Sequence, residues 1–149
     1  GLEYAQKYVA IPNCSEHQSG LAIDIGEYTN NIDFIAPSLP YTPKNQLLRE
    51  ALVQHGFIER YAKEKEDITK ISQEPWHFRY VGFPHSLYIT KYHLALEEYV
   101  ELIKQYTEEN PLNYEGYQIY MSTQYDANLD CSENDDGTYF ITKQNESNF

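Results

Sequence analysis

Two short segments of the chain combine histidine with a carboxylate. His17 and Asp24 lie in PNCSEHQSGLAIDIG, and Glu74 and His77 lie in EPWH. Two neutral imidazoles and one carboxylate are a ligand set of hydrolytic zinc, which keeps one position for water. Bound zinc activates water and polarises a carbonyl, and a glutamate that is not a ligand can move the proton. The pattern predicts one zinc ion on His17, Asp24 and His77, with Glu74 as the catalytic base.

Such spacings also occur by chance, so a second interpretation stays open. In that interpretation His17 is a surface turn residue and Asp24 is a charge on an edge strand. The remaining histidines have simpler explanations. His55 lies near a helix end, where histidine is favourable, and His93 is structural or exposed. His85 could support the site from nearby.

The segment around Asp24 has the pattern of a strand. Leu21, Ile23 and Ile25 alternate with smaller or polar residues, which is the period of a half-buried strand. A buried carboxylate needs a partner, and a metal would supply one. Gly20 allows the preceding turn to close tightly. The run WHFRYVG predicts a second strand, which carries the second histidine.

Helices and loops are expected around these strands. A loop covers 27–42, and a helix follows from Thr42-Pro43 to Gly56, with Leu48 and Leu52 on its core face. Residues 61–73 are charged and predict a turn between extended segments. A short helix begins at Pro84, and ALEEYVELIKQY predicts another, with Leu96, Val100 and Ile103 facing the core.

The composition changes after residue 110. YEGYQIYMSTQYD and TYFIT are strand-prone, and DCSENDDG between them predicts a polar turn. We therefore expect a catalytic core over 1–110 and a β-rich extension over 111–149 packed on it. The predicted fold is α+β: a small, mainly antiparallel sheet that carries the zinc site, flanked by helices.

Charge and hydropathy limit the partners. Eleven basic and 23 acidic residues give a net charge of −12, which disfavours nucleic acid and anionic membranes. No apolar run approaches the roughly 20 residues that span a bilayer. Cys14 precedes His17 by three positions but lacks a CxxC partner, so a free thiol is simpler than a metal ligand for it and for Cys131. We expect a cytoplasmic protein, or an extracytoplasmic one if a targeting segment lies upstream.

Both motifs resemble those of a known family. SEHQSGLAID matches the S-x-H-x-x-G-x-A-x-D motif of zinc D,D-peptidases of the VanY/VanX type (peptidase M15), and EPWH resembles their E-x-W-H motif. The resemblance runs from about Leu2 to Tyr106 and is greatest to VanXY-type bifunctional D,D-dipeptidase/D,D-carboxypeptidases. It implies the same zinc ligands and the same base. It also implies that Ser15 lines the substrate pocket and that Tyr61 lies near it.

The implied activity is zinc-dependent hydrolysis of D-Ala-D-Ala, or removal of the terminal D-Ala of peptidoglycan precursor pentapeptides, which gives glycopeptide resistance. An L,D-carboxypeptidase of the same superfamily, a non-catalytic zinc-stabilised relative that binds wall peptides, and a structural module without zinc are the alternatives. The family also has an arginine upstream of the first motif, which stabilises the oxyanion. Here none precedes His17 and the first is Arg49, so we expect a missing upstream segment. Arg79 is a poor substitute, because on a strand it can simply pair with an acidic residue.

Overall fold

The computed structural model describes residues 15–133 and 137–145 and divides into two compact units, Gly1–Leu96 and Glu97–Phe149. Helices and two antiparallel sheets confirm the α+β class. Cys14 lies outside the described residues, whereas Cys131 is a free thiol. The predicted functional division at residue 110 stays a prediction.

The first unit is built on a three-stranded antiparallel sheet. Its strands are β1 (Ala22–Asp24), β2 (Phe57–Tyr61) and β3 (Glu74–Tyr80), in the order β1-β3-β2. The central strand β3 therefore pairs with both others, and its register places Asp24 of β1 directly opposite His77. Directly opposed residues project from the same face of a sheet, so this pairing brings the two motifs together.

The predicted inward face of β1 is wrong. Leu21 and Ile23 are 40% and 38% exposed, and Ala22 is the buried residue of the strand. The Asp24 side chain is 27% exposed, so this carboxylate does not need the compensation that deep burial would demand. The physical reason is that β1 is a three-residue edge strand. It pairs with β3 alone, so its side chains have strand neighbours along one edge only.

The first helix, α1 (Pro43–Gln54), has the predicted ends. The Thr42 hydroxyl accepts a hydrogen bond from the backbone N–H of Asn45 at 3.3 Å, and Gly56 follows the helix with φ +89°. A Cβ at Gly56 would lie 2.7 Å from the Tyr80 ring, so only glycine fits there. The predicted core face is wrong, however.

Asn45 and Arg49 are the buried residues of α1, whereas Leu48 and Leu52 are only half-buried. The reason is that Arg49 reaches across to Glu59 of β2 and to two backbone carbonyls, which draws this polar face inward.

Short helical segments follow β2 and β3 in this unit. A 3₁₀ turn (Lys63–Lys65) and helix α2 (Glu66–Thr69) replace the turn expected in the charged segment. Glu66 stabilises this helix, since it pairs with Lys63 at 3.0 Å and accepts the backbone N–H of Gln73 at 2.8 Å. Helix α3 (His85–Lys91) begins after Pro84, as predicted.

The second unit combines one helix with a four-stranded antiparallel sheet. Helix α4 (Leu96–Ile103) begins at the boundary between the units, and it buries Tyr99 and Ile103 while Leu96 and Val100 stay half-buried. Tyr99 was missed because a tyrosine contributes its whole ring to a core while its hydroxyl stays polar. Its strands are, in chain order, β4 (Leu112–Tyr114), β5 (Tyr117–Ser122), β6 (Asp130–Glu133) and β7 (Tyr139–Gln144).

These strands pair in the order β4-β5-β7-β6, and Ile119, Tyr120 and Ile141 are buried in the unit. The polar turn predicted over DCSENDDG is wrong at its start, because Asp130–Glu133 pairs with β7. Composition alone favours a turn there, and the long-range pairing overrides it. Among the described residues, no helix is long and apolar enough to cross a membrane.

Candidate metal centre

The structure brings His17, Asp24 and His77 together. One ligand atom from each lies within 4.8 Å of the other two. The Asp24 carboxylate stands between the imidazoles: Oδ2 is 3.4 Å from His17 Nε2, and Oδ1 is 3.0 Å from His77 Nδ1. The two rings are almost perpendicular, with centroids 4.8 Å apart. Two nitrogens and a carboxylate oxygen thus converge on one small volume.

Local structure explains how His17 reaches this point. It lies in a 3₁₀ turn (Glu16–Ser19) that ends at Gly20 with φ +74°, where the Gly20 N–H donates to the His17 carbonyl at 3.1 Å. The chain then enters β1, and His17 Nδ1 lies 3.2 Å from the Ala22 carbonyl oxygen. That contact turns the ring so that Nε2 faces Asp24.

Glu74 lies beside the three residues at the start of β3. Its Oε2 is 3.9 Å from His77 Nδ1, and its side chain is only 11% exposed. Burial raises the pKa of Glu74 to about 7, although His77 opposes the rise and the Asp24 and Glu16 carboxylates add to it. A carboxyl group with such a pKa can both accept and release a proton near neutrality.

A charged group that the sequence reasoning missed adjoins His77. Glu16 Oε2 lies 3.4 Å from His77 Nε2, Arg60 Nε donates to Glu16 Oε1 at 2.9 Å, and Arg79 lies 3.5 Å from the same oxygen. Burial opposes ionisation of Glu16, but the hydrogen bond with His77 and both guanidinium groups outweigh it and lower its pKa to about 2.

Burial likewise opposes protonation of His77, but the Glu16 hydrogen bond and nearby carboxylates raise the pKa of its imidazole. Glu16 could have been noticed as the neighbour of His17 in the sequence. Arg60 carries no comparable signal, because only the packing of β2 brings it to this point. Arg79 does pair with an acidic residue, as expected.

The two predicted substrate residues have different surroundings. The Tyr61 ring lies 5.0 Å from the His77 ring, and the Arg60 guanidinium stands over the Tyr61 ring at 4.9 Å. Ser15 is half-buried and precedes the turn that carries His17. Tyr61 is therefore close to His77 in space, and Ser15 lies two positions before His17 in the chain. The substrate roles of both residues stay predictions.

The other predicted candidates lie elsewhere. His55 is the residue that ends α1, in line with its expected structural role, and His93 is exposed with φ +52°. His85 is buried at the start of α3. None of them belongs to the metal-binding group found among the described residues.

A cavity of about 540 Å³ in the first unit is not this centre. It is lined by side chains of α1, β2 and α3, including Arg49 and Glu59, and by Phe78 of β3, and none of the metal-centre residues or Glu74 contributes to it. Phe78 follows His77 on β3, and successive side chains of a strand project from opposite faces. The cavity therefore opens on the other face of the sheet.

The metal centre formed by His17, Asp24 and His77, with Glu74 beside it, defines a class of site. Sites of this class have two imidazoles, one carboxylate ligand and an adjacent buried glutamate on an antiparallel sheet. Comparison with known families gives the particular family. The VanY profile, described as D-alanyl-D-alanine carboxypeptidase, matches residues 1–83, which is more than half of the chain. The chain belongs to the VanY family.

Individual relatives agree with this assignment. The chain is 47% identical over 106 residues to the bifunctional D-Ala-D-Ala dipeptidase and D-Ala-D-Ala carboxypeptidase VanXYC of Enterococcus gallinarum, covering 70% of this chain and 56% of that protein. The chain thus spans about half the length of this curated relative.

Solved structures show the same similarity. The D,D-dipeptidase VanXYg in complex with a D-Ala-D-Ala phosphinate analog gives a TM-score of 0.84 at 40% identity, covering 94% of this chain and 62% of that one. The LD-carboxypeptidase LdcB gives a TM-score of 0.55 at 42% identity, covering 66% of this chain and 45% of that one. A mutant of the D,D-pentapeptidase VanY in complex with Zn(II) gives a TM-score of 0.53 at 39% identity, covering 65% of this chain and 51% of that one.

Proposed function

We propose that this protein is a zinc-dependent D,D-peptidase that hydrolyses D-Ala-D-Ala, removes the terminal D-Ala of peptidoglycan precursor pentapeptides, or does both. One observation carries the proposal: His17, Asp24 and His77 converge within 4.8 Å beside the buried Glu74 in a chain of the VanY family. The similarity to D-Ala-D-Ala peptidases supports the choice of substrate. Such an activity removes the termini that glycopeptide antibiotics bind, so the biological role would be glycopeptide resistance.

The donor set fits one zinc ion. His17 Nε2, His77 Nδ1 and an Asp24 oxygen are the atoms that face one another, and nitrogen with carboxylate oxygen is a ligand combination that zinc accepts. The Zn(II) complex of a related VanY supports this choice. When bound, zinc acts as a Lewis acid toward the scissile carbonyl and lowers the pKa of water.

The chain's own groups supply the proton transfer. Glu74 Oε2 lies on the Nδ1 side of His77 and is shielded from bulk water. We assign to it the proton taken from the attacking water, which it then gives to the leaving amine. Tyr61 and Ser15, which adjoin the centre, are the residues we propose to contact the peptide substrate.

No arginine of this chain is proposed as the oxyanion donor. The sequence contains three arginines, and each is ion-paired with a glutamate: Arg49 with Glu59, and both Arg60 and Arg79 with Glu16. A guanidinium held in this way has donors committed to a carboxylate before any substrate arrives.

An L,D-carboxypeptidase is the second candidate function. The similarity to LdcB, at 42% identity, favours it specifically. The two activities differ in the residue before the terminal D-Ala, which is D-Ala for one and an L-residue for the other. The metal centre is common to both, so only substrate comparison separates them.

The test measures bound zinc and D-Ala release on three substrates. These are D-Ala-D-Ala, a pentapeptide that ends in D-Ala-D-Ala, and a tetrapeptide that ends in L-Lys-D-Ala. We expect about one zinc per chain and release from one or both of the first two substrates. Release from the third alone would assign the L,D activity, retained zinc without release would indicate a binding relative, and absence of zinc would refute the metal centre.

Glu74→Gln tests the base. The amide keeps the shape of the side chain but cannot take a proton, so zinc binding should persist while D-Ala release falls by about 10²–10⁴-fold. Glu64→Gln is the matched control, because Glu64 is an exposed glutamate of the same unit. Hydrolysis by Glu74→Gln at the control rate would contradict the assignment. The cytoplasmic location stays a prediction that cell fractionation can test.

A further inference from the structure

Each imidazole of the metal centre has one ring nitrogen toward Asp24 and a second nitrogen turned away from it. For His17 the outer atom is Nδ1, which lies 3.2 Å from the Ala22 carbonyl oxygen. For His77 the outer atom is Nε2, which lies 3.4 Å from Glu16 Oε2. A neutral imidazole carries its proton on one nitrogen only, so an acceptor at the outer nitrogen leaves the inner one free to bind a metal.

The acceptor facing His77 is a charged group that is itself held in place. Glu16 uses its two oxygens separately: Oε2 faces His77, and Oε1 receives Arg60 Nε at 2.9 Å and lies 3.5 Å from Arg79. The side chains of Glu16, Arg60 and His77 are 17%, 9% and 6% exposed, so water competes weakly for these contacts.

Three separate elements hold this group together. Glu16 begins the 3₁₀ turn, Arg60 belongs to β2, and Arg79 follows His77 by two positions on β3 and so projects from the same face. Two guanidinium groups on one carboxylate oxygen fix the direction of the other oxygen. The orientation of the His77 ring therefore depends on residues of all three elements.

We propose that Glu16 is a positioning residue of the metal centre: its Oε2 accepts the Nε2–H of His77 and thereby holds Nδ1 as the metal-binding atom, while Arg60 and Arg79 hold the Glu16 carboxylate. This inference rests on the metal centre of the proposed function, but not on peptidase activity. Glu16 itself lies on the far side of the His77 ring from Asp24 and is not one of the converging ligands.

The test compares Glu16→Ala and Glu16→Gln with Glu64→Ala in the purified protein. Zinc affinity is measured by competition with a chromophoric chelator. Loss of an outer hydrogen-bond partner of a metal-bound histidine typically weakens metal binding by about 10–100-fold, and we expect this for Glu16→Ala. Glu16→Gln should lose less, because its amide oxygen can still accept the Nε2–H. Glu64→Ala should match the wild type.

A second readout separates positioning from mere structural support. In the zinc-loaded protein, ¹⁵N-edited NMR should show a protected Nε2–H resonance for His77, and that proton should exchange with water faster in Glu16→Ala. Arg60→Met should produce the same two effects to a smaller extent, because it loosens the carboxylate without removing it.

The inference would be overturned if both Glu16 variants bound zinc within twofold of the wild type, or if His77 proved to bind zinc through Nε2. Should Glu16→Ala fail to fold, Glu16→Gln and the wild-type spectrum decide the question. Absence of D-Ala release with these zinc effects intact would refute the proposed function alone. Normal D-Ala release by the wild type, together with unchanged zinc affinity in both Glu16 variants, would refute only the role of Glu16.

Discussion

Replacing Arg49 by methionine should destabilise the first unit more than any single surface contact could. The Arg49 guanidinium donates to Glu59 at 3.0 Å, to the Leu39 carbonyl at 3.0 Å and to the Pro75 carbonyl at 2.9 Å. Its side chain is 8% exposed. Pro75 directly follows Glu74, so this one side chain joins α1 to the strand that begins with the proposed base.

The magnitude follows from what the substitution leaves behind. Breaking a buried ion pair by removing one partner costs about 3–5 kcal/mol. Glu59 is 19% exposed and keeps its hydrogen bond from the Tyr41 hydroxyl, so we expect about 3 kcal/mol, the lower end of that range. For a chain of this size the melting temperature falls by about 2–4 °C per kcal/mol, which gives about 6–12 °C. Methionine has a helix propensity close to that of arginine, so the helix itself is little affected.

The assay is urea and thermal unfolding of the metal-free protein, followed by tryptophan fluorescence. Trp76 is the single tryptophan of the chain and lies on β3, so its signal reports on the first unit. Lys44→Met is the matched control, since Lys44 is an exposed residue of the same helix and should change stability by less than about 0.5 kcal/mol. A loss below about 1 kcal/mol for Arg49→Met would refute the interpretation of Arg49 as a buried anchor.

Two further predictions concern the core and the metal. Phe78→Ala should cost about 3–5 kcal/mol, because the ring is only 1% exposed, whereas Phe34→Ala, at 85% exposure, should cost less than about 0.5 kcal/mol; equal losses in urea unfolding would contradict this placement of the core. Zinc added to the metal-free protein at 100 times its Kd should stabilise it by about 2.7 kcal/mol in thermal unfolding. His17→Ala should abolish that gain and His55→Ala should preserve it, so a gain that survives in His17→Ala would exclude His17 as a ligand.

Most local elements of the first unit could be predicted from the sequence. The Thr42-Pro43 and Gly56 signals predicted both ends of α1, and alternation predicted β1 and β3. These succeeded because capping and strand periodicity depend on residues close together in the chain. The buried faces were predicted less well. Arg49 rather than Leu48 is buried on α1, since its partners come from loops and strands that periodicity does not describe.

By itself the sequence determined which residue types could bind a metal, and it predicted the strands that carry Asp24 and His77. It also showed the family resemblance, because both motifs are contiguous. Only the tertiary structure decided that Asp24 pairs with His77 across 53 positions, that β1 is an exposed edge, and that Glu16 meets Arg60 and Arg79 behind the His77 ring. The physical reason is that local patterns report which way a side chain points, whereas strand register and the convergence of distant charges depend on how the whole chain packs.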